Sequence, residues 1–115
     1  LVKSLLENIN IKVDVVGDGK AAVEMAMRSH LNDKPYDLVI MDMQMPVMDG
    51  YAATRQLRLQ GYSYPVVALT AHAMEGDRQK CLDVGCDDYM KKPIDPAMFI
   101  RYVRHWLEHP LIRVI

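Results

Sequence analysis

The sequence predicts an α/β domain: a doubly wound parallel sheet with helices on both faces. Two observations predict it. Short apolar runs alternate strictly with amphipathic segments, the order that gives parallel strands joined by crossover helices. The central runs are also apolar throughout rather than at every second residue, as strands covered on both faces are. At 115 residues, half of them apolar and a quarter charged, the chain falls within the usual size of one domain with one core.

The elements follow in order. IKVDVV (11–16) is β-branched and reads as a strand ending at Gly17-Asp18-Gly19. A helix is predicted over 19–31, where Ala22, Val23, Ala26, Met27 and His30 share one face. DLVIMD (37–42) is a continuous apolar strand between two aspartates, and 50–60 repeats the helical spacing with Ala52, Ala53, Gln56, Leu57 and Gln60. PVVALT (65–70) is a strand after a Gly-Tyr-Ser-Tyr turn, and a helix is expected from Ala73 to Val84, closed by Gly85 at a C-cap position. DDYM (87–90) is a short strand before Lys91-Lys92-Pro93. In DPAMFIRYVRHWLEH (95–109), Asp95 caps a last helix, Pro96 suits its first position, and Phe99, Ile100, Val103, Trp106 and Leu107 form its apolar stripe. No repeat, low-complexity tract or linker divides the chain.

Composition excludes several functions. The net charge of −1 gives no basic excess for direct contact with nucleic acid or anionic lipid. No apolar stretch nears the roughly 18–20 residues that span a bilayer, and LVKSLLENIN lacks the cationic start and cleavage site of a signal peptide. A cytoplasmic location without membrane contact is therefore the expectation. Cys81 and Cys86 have no second Cys/His pair at ligand spacing, so they are expected as free thiols under reducing conditions. His105 and His109 lie four apart, but two histidines leave a metal under-coordinated, and they are read as solvated helix residues. GDGKAA (17–22) fits a loose dinucleotide fingerprint, a weak signal that leaves residues 41–50 and the Lys-Pro unexplained.

In open parallel sheets, ligands gather at the carboxyl ends of the strands. Asp42 ends one strand, Thr70 the next, and Lys92 stands just past the fourth. Singly, each is an ordinary surface residue, and an exposed acid-lysine pair contributes about a kcal/mol or less. Together they place an acid, a hydroxyl and an ammonium on one edge. A carboxylate can attack phosphorus to give an acyl phosphate, with a cation and a hydroxyl holding the phosphoryl oxygens and a divalent metal offsetting charge.

DLVIMDMQMPVMDG, VVALTAHAM and GDRQKCLDVGCDDYMKKPID, in this order and at these spacings, closely resemble the receiver domain of two-component response regulators. The wording is most like receivers of hybrid sensor histidine kinases. The resemblance covers about residues 1–107 and implies a flavodoxin-like sheet of order 2-1-3-4-5. It also implies a phosphoryl group accepted by Asp42 from the phosphohistidine of a histidine kinase or a histidine phosphotransfer domain. By the same likeness Thr70 is the switch hydroxyl, Lys92 the phosphate-binding lysine with a cis bond to Pro93, and Tyr89 the aromatic that turns inward on activation. Lys91 is left to solvent. The loop 43–50 would wrap Mg²⁺, with Asp42 and the backbone carbonyl of Gln44 as ligands, while Pro46 and Asp49-Gly50 shape the turn. Met43, Gln44 and His72 stand where the family tunes access of water to the acyl phosphate.

One departure matters. The family pattern opens with a strand ending in an acidic pair that holds magnesium, whereas this chain begins inside the helix after it. The receiver is thus expected over 1–109, lacking that first strand, with poor Mg²⁺ binding and slow phosphate uptake. The tail 110–115 carries the apolar run LIRVI (111–115), which has two readings: a replacement strand filling the central slot of the sheet, in its own chain or by swapping in a homodimer, or a plain linker onward to another domain. The rival expectation is a pseudo-receiver, an interaction module that works without phosphorylation.

Overall fold

The computed structural model describes residues 2–8, 13–71 and 76–107. Its elements in chain order are α1 (Val2–Glu7), α2 (Gly19–Leu31), β1 (Val39–Asp42), α3 (Gly50–Leu59), β2 (Val66–Thr70), α4 (Asp77–Asp83), β3 (Asp88–Lys91) and α5 (Pro96–Leu107). The strands pair in parallel in the order β1-β2-β3. Asp42 lies level with Leu69, and Thr70 level with Lys91. The register therefore carries the predicted acid, hydroxyl and lysine segment to one edge.

Side chains alternate between faces along a strand, and this sorts the core into two layers. Val39 and Met41 of β1 and Val66 and Ala68 of β2 pack with Ala22, Val23 and Ala26 of α2 and with Ala53 and Leu57 of α3. Ile40 and Met90 turn the other way, against Leu6 of α1 and Phe99 and Val103 of α5. All five residues of β2 are buried, as a strand covered on both faces requires. The starts of α2, α3 and α5 are fixed by carboxylates that accept otherwise unpaired backbone N–H groups. Asp18 accepts from Ala21 at 2.8 Å, Asp49 from Ala52 at 2.8 Å, and Asp95 from Ala97 at 3.0 Å and Met98 at 3.3 Å.

Three expectations need correction. The strand predicted over 11–16 is not a strand in its described part: 13–16 joins no ladder. A strand exists only where a neighbour takes up its backbone groups. Here a cleft of about 440 Å³ is lined by Val13, Val15 and Val16 from one side and by Ile40 and Asp42 from β1. The segment is tied instead through Asp14, whose carboxylate accepts from the Tyr36 hydroxyl. The buried stripe of α3 runs through Gly50, Ala53, Thr54 and Leu57, while Ala52, Gln56 and Gln60 face solvent. The spacing was helical, but the phase was set by the small residues that approach the sheet. The described part of α4 starts at Asp77, after Gly76 at φ +98°, so only the C-terminal half of the predicted helix is seen. It closes as expected, with Gly85 at φ +110° and Cys86 N–H donating to Cys81 C=O at 3.0 Å. His72, His109 and the proposed strand 111–115 lie outside the described residues.

Candidate functional site

β1 delivers Asp42 to the edge of the sheet, and the chain leaving β3 returns Lys92 beside it. The Lys92 ammonium lies 2.8 Å from Asp42 Oδ2. The Gln44 backbone N–H donates to Asp42 Oδ1 at 2.9 Å. Both carboxylate oxygens are thus held, yet the side chains of Lys92 and Asp42 remain 31% and 34% exposed. A pair this open contributes about a kcal/mol or less to stability. It leaves the carboxylate within reach of a reactant. The Lys92-Pro93 bond is cis, as the resemblance implies, and Lys91 is exposed.

Thr70 ends β2 fully buried. The Gln44 side chain reaches it: Nε2 donates to Thr70 Oγ1 at 3.4 Å, and the Ala71 backbone N–H donates to Gln44 Oε1 at 3.0 Å. Tyr51 from α3 lies over Cys81, whose Sγ is 4.0 Å from its hydroxyl oxygen. Burial, and then the neighbouring Cys81, push the Tyr51 phenol up to about 12. Tyr89 lies level with Ala68, at half burial against the main core layer.

The loop 43–50 is built on close backbone approaches. Gly50 N–H donates to Met43 C=O at 3.2 Å, and a Cβ on Gly50 would lie 2.4 Å from the Asp42 carbonyl oxygen. Gly19 N–H donates to Met48 C=O at 3.1 Å, where a Cβ would stand only 2.0 Å from that oxygen. The second glycine of GDGKAA therefore buttresses the loop, which accounts for the motif without a dinucleotide. Met43 is buried in the core and Gln44 is exposed, so of these two only Gln44 faces the solvent beside Asp42.

Magnesium takes oxygen ligands in near-octahedral geometry and draws affinity from carboxylate charge. The residues expected to hold it are the Asp42 carboxylate, already shared with Lys92 and the Gln44 N–H, and one backbone carbonyl. Among the described residues no three Asp, Glu, His or Cys side chains come together. This donor set does not by itself fit a magnesium site.

Residues 1–104 match the family model described as response regulator receiver domain. The chain belongs to that family. It is 40% identical over 114 residues to probable histidine kinase 2 of Oryza sativa subsp. indica, covering 88% of this chain and 11% of that protein. It is also 40% identical over 111 residues to the sensor histidine kinase GacS of Pseudomonas protegens, covering 92% of this chain and 12% of that one. The chain thus spans about a tenth of these relatives. Among solved structures, the receiver domain of sensor histidine kinase PA1611 from Pseudomonas aeruginosa PAO1, which has a magnesium ion in its active site cleft, superposes with a TM-score of 0.80. The two share 38% identity, over 93% of this chain and 85% of that one. The receiver domain of the Francisella response regulator 1452 gives 0.81 at 30% identity, over 93% and 84% of the two chains. The fold is that of a flavodoxin-like receiver.

One site residue was only partly read from the sequence: Gln44 was given a backbone role at the metal and a place where the family tunes access of water, but not the bridge from Asp42 to the end of β2 that its side-chain amide makes.

Proposed function

We propose that this receiver accepts a phosphoryl group on Asp42 from a phosphohistidine, on a histidine kinase or a histidine phosphotransfer domain, and changes conformation in response. The supporting observation is the Asp42 carboxylate with an ammonium 2.8 Å away, at the edge where β2 ends in Thr70. In the transfer, an Asp42 oxygen forms a bond to phosphorus as the phosphorus–nitrogen bond to imidazole breaks. The electron pair returns to the ring. Such transfers ask the protein mainly for position and charge. Lys92 supplies charge to the phosphoryl oxygens, and a placed donor of this kind is worth about 100-fold or more in rate.

The Thr70 hydroxyl then turns toward the phosphoryl group, and Tyr89 moves into the space this leaves. The equilibrium shifts between two packings rather than creating a new one. The relatives named as histidine kinases support a parent of the hybrid kinase kind. Incubation of the full-length protein with a phosphorylated histidine phosphotransfer domain tests the reading. Label should pass to the wild type and not to Asp42→Asn. Equal labelling of both would move the acceptor elsewhere, and no labelling of either would leave an interaction module.

A further inference from the structure

Gln44 follows Asp42 by two residues, and its backbone N–H bond to Asp42 Oδ1, at 2.9 Å, fixes it beside the carboxylate. From there its side chain crosses to the end of β2. The orientation of the amide is set by chemistry: the Ala71 N–H can only donate, so Oε1 faces it at 3.0 Å and Nε2 is left facing Thr70 Oγ1 at 3.4 Å. One exposed side chain thus takes the single proton of the Ala71 N–H and donates to Thr70 Oγ1, which keeps its own proton.

We propose that Gln44 is a positioning residue, a latch that holds the Thr70 hydroxyl and the Ala71 N–H in the unphosphorylated state. The proposal rests on the phosphoacceptor reading. A backbone N–H has one proton to give, so Ala71 cannot serve Oε1 and a phosphoryl oxygen at full strength together. Latch and phosphoryl group compete. One ordinary bond and one long one correspond to a modest bias, and their loss speeds phosphate uptake about 3- to 10-fold. Gln44 is exposed, so replacing it leaves no cavity in the core.

The test uses the full-length protein with acetyl phosphate. In the reaction, Asp42 bonds to phosphorus as the phosphorus–oxygen bond to acetate breaks and acetate leaves with the pair. Gln44→Met keeps the length of the side chain and removes both hydrogen bonds; Gln44→Ala removes the bulk as well. Both variants should label about 3- to 10-fold faster than wild type, and the Ala71 amide should lose its protection from hydrogen exchange in both. Gln44→Met matching wild type in rate, with only Gln44→Ala faster, would reduce Gln44 to a steric shield and overturn the latch. Unchanged Ala71 exchange in Gln44→Met would overturn it as well. Failure of the wild type to label at all would instead overturn the phosphoacceptor reading and the kinetic role built on it.

Discussion

Asp42 and Lys92 form an ion pair that is open to water, and Thr70 is a hydroxyl buried beside it. The two kinds of placement predict different losses. Lys92→Ala should leave the fold nearly as stable, within about 1 kcal/mol, yet slow phosphate uptake by about 100-fold. Denaturant midpoints and labelling rates check the two halves. Lys92→Arg should recover charge but not rate, since a planar guanidinium replaces a point charge at 2.8 Å. Thr70→Val keeps the buried volume, so it should still accept label while uncoupling Tyr89. Ring resonances of Tyr89 would then stay put on phosphorylation in the variant and shift in the wild type.

At the scale of elements, the strands are placed by close backbone approaches at their carboxyl ends and by one arginine at their amino ends. Arg58 of α3 donates from Nε to Gly85 C=O at 2.9 Å, from Nη1 to Tyr62 C=O at 2.6 Å and Tyr64 C=O at 2.8 Å, and pairs with Asp87 at 3.0 Å. Asp87 in turn accepts from Val66 N–H at 2.8 Å. One guanidinium therefore ties the end of α3 to the entrances of β2 and β3. Arg58→Ala should cost about 2–4 kcal/mol because several carbonyls lose their donor, and Arg58→Lys should rescue little because an ammonium cannot span that fork. Urea melts of the two variants check this. Gly50→Ala should be worse tolerated than any surface change in the loop, since its Cβ would meet the Asp42 carbonyl oxygen and Met43 Cα, at 2.4 and 2.7 Å.

The same scale shows what was legible in the sequence. The three paired strands, both faces of helices and the Asp42–Lys92 pairing were readable, because continuous apolar runs and their terminal polar residues are local patterns. The fate of 11–16 was not readable in this way. Its β-branched composition is strand-like, but strand formation depends on a neighbour, which composition does not report. The stripe of α3 was likewise missed in phase, because small residues at Gly50, Ala53 and Thr54 carry little hydropathy signal. Arg58 and the Gln44 side chain act across the fold, where spacing along the chain says nothing.

At the scale of the whole molecule, the core keeps two thiols neutral. Cys81 and Cys86 are free and buried. Burial pushes Cys81 up and takes Cys86 from its ordinary 9.0 to about 11. Native protein should therefore react slowly with a thiol reagent at neutral pH, and denaturant should release both groups. The folded thiol holds its proton longer than the unfolded one, so this contribution to stability is complete below about pH 9 and is lost as pH rises toward 11. Denaturant midpoints measured across that window should fall, and Cys86→Ala should flatten the decline.

The donor set at Asp42 predicts a second property of the whole chain. Calorimetric titration of these 115 residues with Mg²⁺ should show no saturable binding in the range where a receiver with an acidic pair binds. Tight binding would mean that residues outside the described ones complete the site.

The central claim is that Asp42 is the phosphoacceptor. It is tested most directly by treating the full-length protein with acetyl phosphate, trapping the acyl phosphate with borohydride and sequencing the peptides by mass. The account predicts a reduced aspartate at position 42 and at no other, absent without the phosphodonor. A trapped acid at another position, or none at all in a folded protein, would contradict it.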